Sequence, residues 1–232
     1  MDYEDVKALW TEWFMLWGRE LGDPFRWFTN DSEDLIRFAY ACQGQKPIFM
    51  SESIYSGLNQ VSALDRILFD FDSKQDLDAA WAEVRDFAAR LDRFWRIKPL
   101  ICFSGSKGYH AHIFFKEPYT GSYLKEIYSQ LCRMLRGNAG YKTLDPQPLG
   151  DYKRLARVPL TTHQGSGKLC QPVDQDGGPL ILEPGFVKYY RSHGIGRGLI
   201  ETAIRKHQGR GLFEASAEAP SRRYPTLHHG KP

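Results

Sequence analysis

Ile67-Leu68-Phe69-Asp70-Phe71-Asp72 is the stretch that decides the fold, because an apolar run ends in two aspartates that flank an aromatic residue. Successive side chains of a strand point to opposite faces, so the pattern predicts a strand with Phe71 in the core and both aspartates on the other face. Two like charges so close need a cation between them, or one must take up a proton. Carboxylate oxygens are the ligands that Mg²⁺ and Mn²⁺ prefer. The pattern predicts a two-point clamp for a divalent metal; a solvated strand end that runs into a turn is the simpler alternative.

A second polar segment, Ser104-Gly105-Ser106-Lys107-Gly108-Tyr109-His110, joins two further predicted strands at residues 100–103 and 110–115. Its glycines permit backbone conformations that bulkier residues avoid, while Lys107 supplies charge and His110 a donor. Such a turn can hold a polyphosphate with its backbone amides and its lysine. It is not a Walker loop, since G-x-x-x-x-G-K-[ST] is absent. Taken alone, it is equally compatible with a plain hairpin.

A third segment adds one more carboxylate and several donors further along the chain. Leu144-Asp145-Pro146 is followed by Asp151-Tyr152-Lys153-Arg154-Leu155-Ala156-Arg157-Val158-Pro159 and by His163-Gln164-Gly165-Ser166-Gly167-Lys168. A carboxylate, an arginine, a histidine and a lysine beside a glycine turn are the groups wanted around a metal-bound triphosphate. Each could be an ordinary surface residue, but together with the first two segments they indicate a nucleotide site.

The composition sets the broad class. Hydrophobic content of 42% and charged content of 25% in 232 residues are typical of a soluble globular protein. Of the net charge of +3, the residues from Arg205 onward contribute +4, so any basic groove in residues 1–204 must be local. The four cysteines are widely spaced without a C-x-x-C pair, which argues against a zinc knuckle or a disulfide framework. With no signal peptide or membrane-spanning run, a cytoplasmic protein without a membrane partner is expected.

The periodicity of the chain predicts an α+β fold with a mainly antiparallel sheet. Apolar residues recur at helical spacing, and a strand is predicted to begin at Pro47. Helices are predicted at residues 3–20, 32–42, 73–91, 122–135 and 186–208. We expect a single catalytic domain over residues 1–208 and a disordered basic tail over residues 209–232, where periodicity is lost.

The three segments together resemble the archaeo-eukaryotic primase (AEP) superfamily. That family is marked by an hhhDhD strand, an SGxKGxH turn, and an hD followed at a fixed interval by R-x-P and H. The match spans residues 66–173. The resemblance implies an RRM-like catalytic sheet flanked by helices, with an N-terminal helical and strand module packed on it.

The resemblance also implies roles for individual residues. It implies that Asp70, Asp72 and Asp145 are catalytic and bind Mg²⁺ or Mn²⁺ in a two-metal site, with Asp151 in a supporting role. It implies that the incoming triphosphate is contacted by Ser104, Lys107, His110, Arg157 and His163. The function implied is that of a DNA primase or primase-polymerase, which joins dNTPs or NTPs to start or extend a primer on a single-stranded DNA template.

Some features depart from the family pattern. Thr161-Thr162 stands where relatives often have small residues before the histidine, and no structural zinc site is expected. The short interval between the second and third motifs indicates a compact plasmid, virus or bacterial type. The sequence leaves open whether a replicative helicase or another replication or repair protein is a partner.

Two other functions account for part of the sequence. A replication-initiator or relaxase nicking enzyme would use His110 and His112 for metal and Tyr123 or Tyr128 as nucleophile, but it leaves Asp145 and Lys107 unexplained. A non-catalytic RNA-binding module would expose strand aromatics for stacking rather than bring three acids together.

Overall fold

The computed structural model describes residues 3–14, 18–22, 25–42, 45 and 48–217. The described helices are α1 (Tyr3–Phe14), α2 (Ser32–Cys42), α3 (Leu77–Trp95), α4 (Leu124–Arg136), α5 (Phe186–Ser192) and α6 (Arg197–Ala217). The described strands are β1 (Arg19–Gly22), β2 (Arg26–Thr29), β3 (Phe49–Ser51), β4 (Ile54–Gly57), β5 (Gln60–Asp72), β6 (Leu100–Phe103), β7 (Gly108–Tyr119), β8 (Leu155–Arg157) and β9 (Gln171–Pro172).

The strands form two sheets, and the fold is α+β as predicted. One sheet has the order β4-β5-β7-β6-β9 and the other the order β2-β1-β3-β8, and neighbouring strands in both are antiparallel. In the larger sheet Asp70 lies opposite His110, and Asp72 lies opposite Gly108. The register therefore places the first predicted motif directly beside the second.

The larger sheet is covered on both faces. Phe69 and Phe71 pack with Phe87 of α3, and α4 adds further apolar side chains to the same cluster. On the opposite face Phe114 and Leu100 pack with residues of α1, β3 and α5. Full burial of an aromatic side chain of this size stabilises the fold by about 1.5–3 kcal/mol. The N-terminal module is thus packed on the larger sheet, as expected.

Local signals set the ends of the central helices. Asp76 caps α3 by accepting a 2.8 Å hydrogen bond from the amide of Ala79, and the helix ends at Arg96 in the left-handed conformation. Gly137 ends α4, where its amide donates to the carbonyl oxygen of Arg133. These boundaries agree with the sequence-based expectation to within a few residues.

Two predicted helices differ from the structure. The first ends at Phe14 rather than at residue 20, and Arg19 instead begins β1, where its guanidinium is buried 2.6 Å from Asp65. The predicted helix over 186–208 is two helices, because Ile195 pairs with β7 and accepts a 2.8 Å hydrogen bond from the amide of Lys116. Tertiary contacts of single residues therefore override helical periodicity at both places.

The C-terminal helix runs beyond the predicted domain boundary. α6 passes through Gly209 and continues to Ala217, while residues 218–232, like Trp17 of the first predicted helix, lie outside the described residues. No helix in the described ranges is both long and apolar enough to cross a membrane.

Candidate active site

Backbone pairing brings Asp145 to the end of β5. The amide of Asp145 donates a 2.8 Å hydrogen bond to the carbonyl oxygen of Asp70, and the amide of Asp72 donates a 2.7 Å bond to Thr143. Glu83 of α3 fixes this segment by accepting hydrogen bonds from the amides of Lys142 (2.9 Å) and Thr143 (2.8 Å). The third motif is thus held as a short antiparallel neighbour of the first.

The three carboxylates nevertheless have different partners. Asp72 Oδ2 lies 2.5 Å from Lys107 Nζ, and Asp145 Oδ1 accepts a 2.9 Å hydrogen bond from the amide of Gln147. Asp70 Oδ1 is buried, lies 3.7 Å from His110 Nε2, and makes no hydrogen bond within the described part of the chain. Among the described residues, no group of three His, Cys, Asp or Glu side chains is arranged to hold a metal ion.

The donor set of this end of β5 fits a divalent cation all the same. Burial raises the pKa of Asp70, and the neighbouring charges of Asp72 and Asp145 raise it further, while His110 and Arg154 oppose the shift. A buried carboxylate oxygen without a partner, close to two further carboxylates, is stabilised by a cation. That these three acids bind one metal site stays a prediction.

The glycine turn presents Lys107 to the carboxylates. The turn is closed by a 2.9 Å bond from the amide of Ser104 to the carbonyl of Gly108, and by a 3.3 Å bond from the amide of Gly108 to Ser104 Oγ. The amide of Ser73 donates to the Lys107 carbonyl at 2.9 Å, which ties the turn to the end of β5. The hydrogen bond to Asp72 raises the pKa of Lys107, which keeps the ammonium charged.

The loop of residues 163–168 lies against this turn. His163 Nδ1 accepts hydrogen bonds from the amides of Gly165 and Ser166, at 3.1 and 3.2 Å, and Ser166 Oγ donates to the carbonyl of Gly105. Burial and the charge of Arg157 lower the pKa of His163. A neutral imidazole that accepts at Nδ1 carries its proton on Nε2, so His163 is a neutral donor through Nε2.

Arg157 and His110 are the buried donors of the site. Arg157 Nη2 donates to Gln164 at 3.1 Å and its guanidinium stacks on Phe49, while Nη1 is buried with no partner among the described residues. Burial lowers the pKa of His110, but the charge of Asp70 and the sulfur of Cys170 raise it more, to about 9. A buried guanidinium nitrogen without a partner favours an anion.

The structure gives roles to residues for which the sequence analysis predicted none. Arg154 is close enough to lower the pKa of Asp70, and the sulfur of Cys170 is next to His110. Glu52 binds the Nδ1 atom of buried His112 at 2.8 Å, behind the site. These residues come from short strands and loops with no periodic pattern, so only their place in the fold connects them with the carboxylates.

Neither alternative function finds support in this geometry. The His112 ring is fully buried and packs 4.9 Å from Trp13, and Tyr128 is buried with a pKa that burial raises well above its usual value. Tyr123 is 62% exposed, but the buried His112 cannot complete the accessible histidine pair that a nicking reaction needs for its metal. The strand aromatics Phe69 and Phe71 are likewise buried rather than exposed for stacking.

Solved structures share this architecture. No protein-family model and no curated protein matches the chain. The catalytic domain of primase RepB′, in complex with initiator DNA, is similar over 94% of this chain and 98% of that chain, with a TM-score of 0.50 and 14% identity. The AEP domain of the cyanophage S-2L primase-polymerase matches 82% of this chain and 97% of that chain, with a TM-score of 0.48 and 13% identity. The polymerase domain of Mycobacterium tuberculosis ligase D, in complex with DNA, matches 94% of this chain and 93% of that chain, with a TM-score of 0.42 and 12% identity.

At such low sequence identities, structural similarity is evidence for a shared fold only. The similarity to the RepB′ catalytic domain covers nearly the whole of both chains, and the predicted resemblance is confirmed at this level. The chain has an AEP-like fold.

Proposed function

We propose that this protein is a divalent-metal-dependent nucleotidyltransferase that starts or extends a primer on single-stranded DNA. One observation carries the proposal: the backbone bond from Asp145 to Asp70 places a third carboxylate at the D-x-D strand end. On the same side lie Lys107 and His110, which contact Asp72 and Asp70. Acids beside positively charged donors are the two halves of a site for metal and triphosphate.

Asp70, Asp72 and Asp145 are the residues that would hold the metal. A divalent ion bound there would supply positive charge at the reacting phosphate and lower the pKa of the primer hydroxyl. Lys107 Nζ lies 2.5 Å from Asp72 Oδ2 and neutralises its charge, and the lysine side chain is partly exposed. The lysine is therefore free to turn toward a triphosphate when a cation takes its place.

The donors of the glycine turn and the neighbouring loop would hold the triphosphate. Arg157 Nη1 is a buried donor without a described partner, and His163 offers Nε2–H. Ser104 closes the turn that carries Lys107. Because the turn and the loop are joined through Ser166 and Gly105, these donors are positioned before substrate arrives. The protein contributes orientation and charge rather than a covalent intermediate.

The nucleic acid is the less defined part of the proposal. The RepB′ catalytic domain, which shares the fold, was solved in complex with initiator DNA, and this supports DNA as the template here. A primer 3′ end, the template and one incoming dNTP or NTP are the substrates. A cytoplasmic location belongs to the same proposal, which leaves open a replicative helicase as partner and the choice between a de novo start and primer extension.

The test is nucleotide incorporation on a defined single-stranded template. Wild-type protein is incubated with Mg²⁺ or Mn²⁺ and labelled dNTPs or NTPs, with and without an annealed primer, and products are resolved by length. We expect primer extension that Asp70→Asn and Asp145→Asn each abolish. Asp176→Asn is the matched control, because Asp176 is an exposed carboxylate outside the site.

The products also distinguish a de novo start from primer extension. Products without a primer show de novo priming, and products only with a primer show extension. Wild-type activity in both site variants, at unchanged urea midpoints, would rule out the assigned acids. Absence of incorporation with every metal and nucleotide would remove the proposed activity itself.

A further inference from the structure

The C-terminal end of α3 and the nearby helix α5 form an exposed surface of aromatic and basic side chains. We name it the aromatic–basic patch, and it consists of Arg93, Phe94, Trp95, Arg96, Lys98 and Tyr189. Three of these are large aromatic residues that face solvent: Phe94 is 62% exposed, Tyr189 47% and Trp95 41%. Large aromatics are normally core residues, so their grouping here calls for a physical account.

Contacts join the two parts of the patch. The amide of Lys98 donates a 3.0 Å hydrogen bond to the carbonyl of His193, just after α5. Lys98 Nζ donates to the Tyr189 hydroxyl at 3.3 Å and lies 5.8 Å from the ring centroid. Between the two parts runs a groove of about 1030 Å³, lined among others by Arg93, Arg96, Lys98 and Tyr189. Phe94 and Trp95 lie outside this groove, but the Phe94 ring is 5.4 Å from the Arg93 guanidinium and Trp95 lines a second cavity together with Arg96. Arg93 and Arg96 therefore connect these two rings with the groove.

The charge of the patch favours an anionic partner. Residues 93–98 contain Arg93, Arg96 and Lys98 and no acidic residue. None of these cations lies within ion-pair distance of a carboxylate in the described part of the chain. Asp92, Asp174 and Glu183 also line the groove, so the positive charge is concentrated on the rim formed by residues 93–98.

Aromatic faces beside unpaired cations fit unpaired nucleobases and their phosphates. Bases of single-stranded nucleic acid stack on exposed aromatic side chains while basic residues follow the backbone. A protein partner would favour a patch whose centre is depleted of charge, whereas here Arg93 and Arg96 flank Phe94 and Trp95 directly. Paired bases are already stacked and cannot use these rings, so the preference is for single strands.

The patch is separate from the candidate active site. α3 begins at Leu77, after Asp72, and its 19 residues span roughly 28 Å at 1.5 Å per residue, so Phe94 and Trp95 lie at the end of the helix farther from Asp72. We infer that the aromatic–basic patch binds single-stranded DNA as a second contact for the template, remote from the carboxylates. The role of the bound strand as a template rests on the proposed function. Binding of single strands itself can be measured without catalysis.

The experiment measures binding of a fluorescent single strand of about 20 nucleotides by anisotropy, without metal or nucleotide. Phe94→Ala combined with Trp95→Ala removes two stacking faces and should weaken binding roughly tenfold or more. Tyr123→Ala is the matched control, because Tyr123 is also 62% exposed but lies at the start of α4. Urea midpoints close to the wild-type value confirm that each variant is folded.

A second variant tests the charges rather than the rings. Arg93→Gln combined with Lys98→Gln should lower the slope of log affinity against log salt by about 1.4, because each lost phosphate contact contributes about 0.7 on single strands. A folding defect would not change this slope. Unchanged affinity in the ring variant, an equal loss in Tyr123→Ala, or an unchanged salt slope overturns the inference.

Primer extension separates this inference from the proposed function. If patch variants lose single-strand binding while wild-type protein incorporates no nucleotide, the patch stands as a DNA-binding surface and the enzymatic proposal fails. If wild-type protein extends primers and the patch variants retain full affinity for template, the enzymatic proposal stands and the patch does not.

Discussion

Asp145 donates its backbone N–H to the carbonyl oxygen of Asp70 at 2.8 Å, although the two residues belong to segments far apart in the sequence. This bond extends the antiparallel pairing of Phe71 with Leu144 and sets the direction from which Asp145 approaches the strand end. The side chains do not yet share a ligand, because Lys107 binds Asp72 and the Gln147 amide binds Asp145. In the structure the ammonium of Lys107 supplies the positive charge beside Asp72.

The first prediction concerns Lys107 as a competitor of the cation. Lys107→Met should strengthen Mn²⁺ binding in the absence of nucleotide by a few-fold, since a partly exposed ion pair contributes about 0.2–1 kcal/mol. The same change should raise the Michaelis constant for nucleotide, because the triphosphate loses a cationic contact. Calorimetric Mn²⁺ titration and steady-state kinetics measure the two effects. Lys74→Met, an exposed lysine before α3, should change neither, and weaker Mn²⁺ binding in Lys107→Met would contradict the assignment.

The second prediction concerns the contact between the turn and the loop. Gly105 has a φ of +87°, and a Cβ there would lie 2.8 Å from His163 Cβ and 3.0 Å from the Lys168 carbonyl oxygen. Gly105→Ala should therefore push the loop away and weaken nucleotide binding by roughly 10- to 100-fold. Fluorescent nucleotide titration measures this.

Gly167 provides the control for backbone strain. Its φ is +69°, but a Cβ there would meet nothing within 4 Å. Gly167→Ala should cost about 1–2 kcal/mol of unfolding free energy, as an alanine in the left-handed region does, and leave nucleotide affinity unchanged. Equal nucleotide affinity in the two variants would show that the loop does not position the triphosphate.

Local patterns predicted the elements that carry the first two motifs. The alternation around Asp70, the glycines of the turn, and the cap at Asp76 each act within a few residues, and the structure has the strand, hairpin and helix that they predict. The pairing of Asp145 with β5 joins segments that are far apart in the sequence, and hydrophobic periodicity does not predict it. There the resemblance to a family, not the pattern of residues, supplied the expectation.

Of the smaller sheet only β3 was predicted, as the strand beginning at Pro47, and β1, β2 and β8 were missed for a physical reason. β1, β2, β3 and β8 are each three or four residues long, too short to show alternation. Buried charged residues stabilise the region around these strands. Arg19 and Asp65 are both fully buried, although charged residues in a sequence normally indicate a surface. The Glu52–His112 pair is hidden in the same way, because each residue acquires its partner only when this sheet meets β7.

The third prediction concerns the buried charges of that region. Asp65 lies 2.6 Å from Arg19 and 3.4 Å from Arg66, and it also pairs with Arg191. Asp65→Asn removes the carboxylate that pairs with all three arginines and should lower the free energy of unfolding by about 3–5 kcal/mol in urea titrations. Glu201→Gln, which breaks the exposed pair with Arg197, should cost only about 0.5 kcal/mol or less. Equal costs for the two changes would refute a structural role for the buried cluster.

The fourth prediction concerns stability in acid. Burial raises the pKa of Asp65, but the charges of Arg19, Arg66 and Arg191 outweigh it and hold the pKa at about 2, below its ordinary 3.8. A depressed carboxyl pKa stabilises the fold above the ordinary value, and this contribution is lost as the pH falls toward 2. The loss should be about 2 kcal/mol, measured as unfolding free energy against pH. Asp65→Asn should lack this part of the acid dependence, and an unchanged profile in that variant would show that another group causes it.

The last prediction concerns the residues beyond α6. Ile200 and Ala203 of this helix are buried against the core, so a cut must follow Ala217 if the packed part of the helix is to remain. Residues 218–232 carry Arg222, Arg223 and Lys231 against a single acid, Glu218, and too few apolar residues to form a core. Truncation after Ala217 should therefore leave turnover at saturating template unchanged and weaken template binding chiefly at low salt, where phosphate contacts are strongest. Affinity measured across salt concentrations checks this, with Arg222→Gln and Arg223→Gln in the full chain as the control for charge alone. Lower turnover at saturation would place the segment in the catalytic unit, and unchanged affinity at low salt would make it an inert terminus.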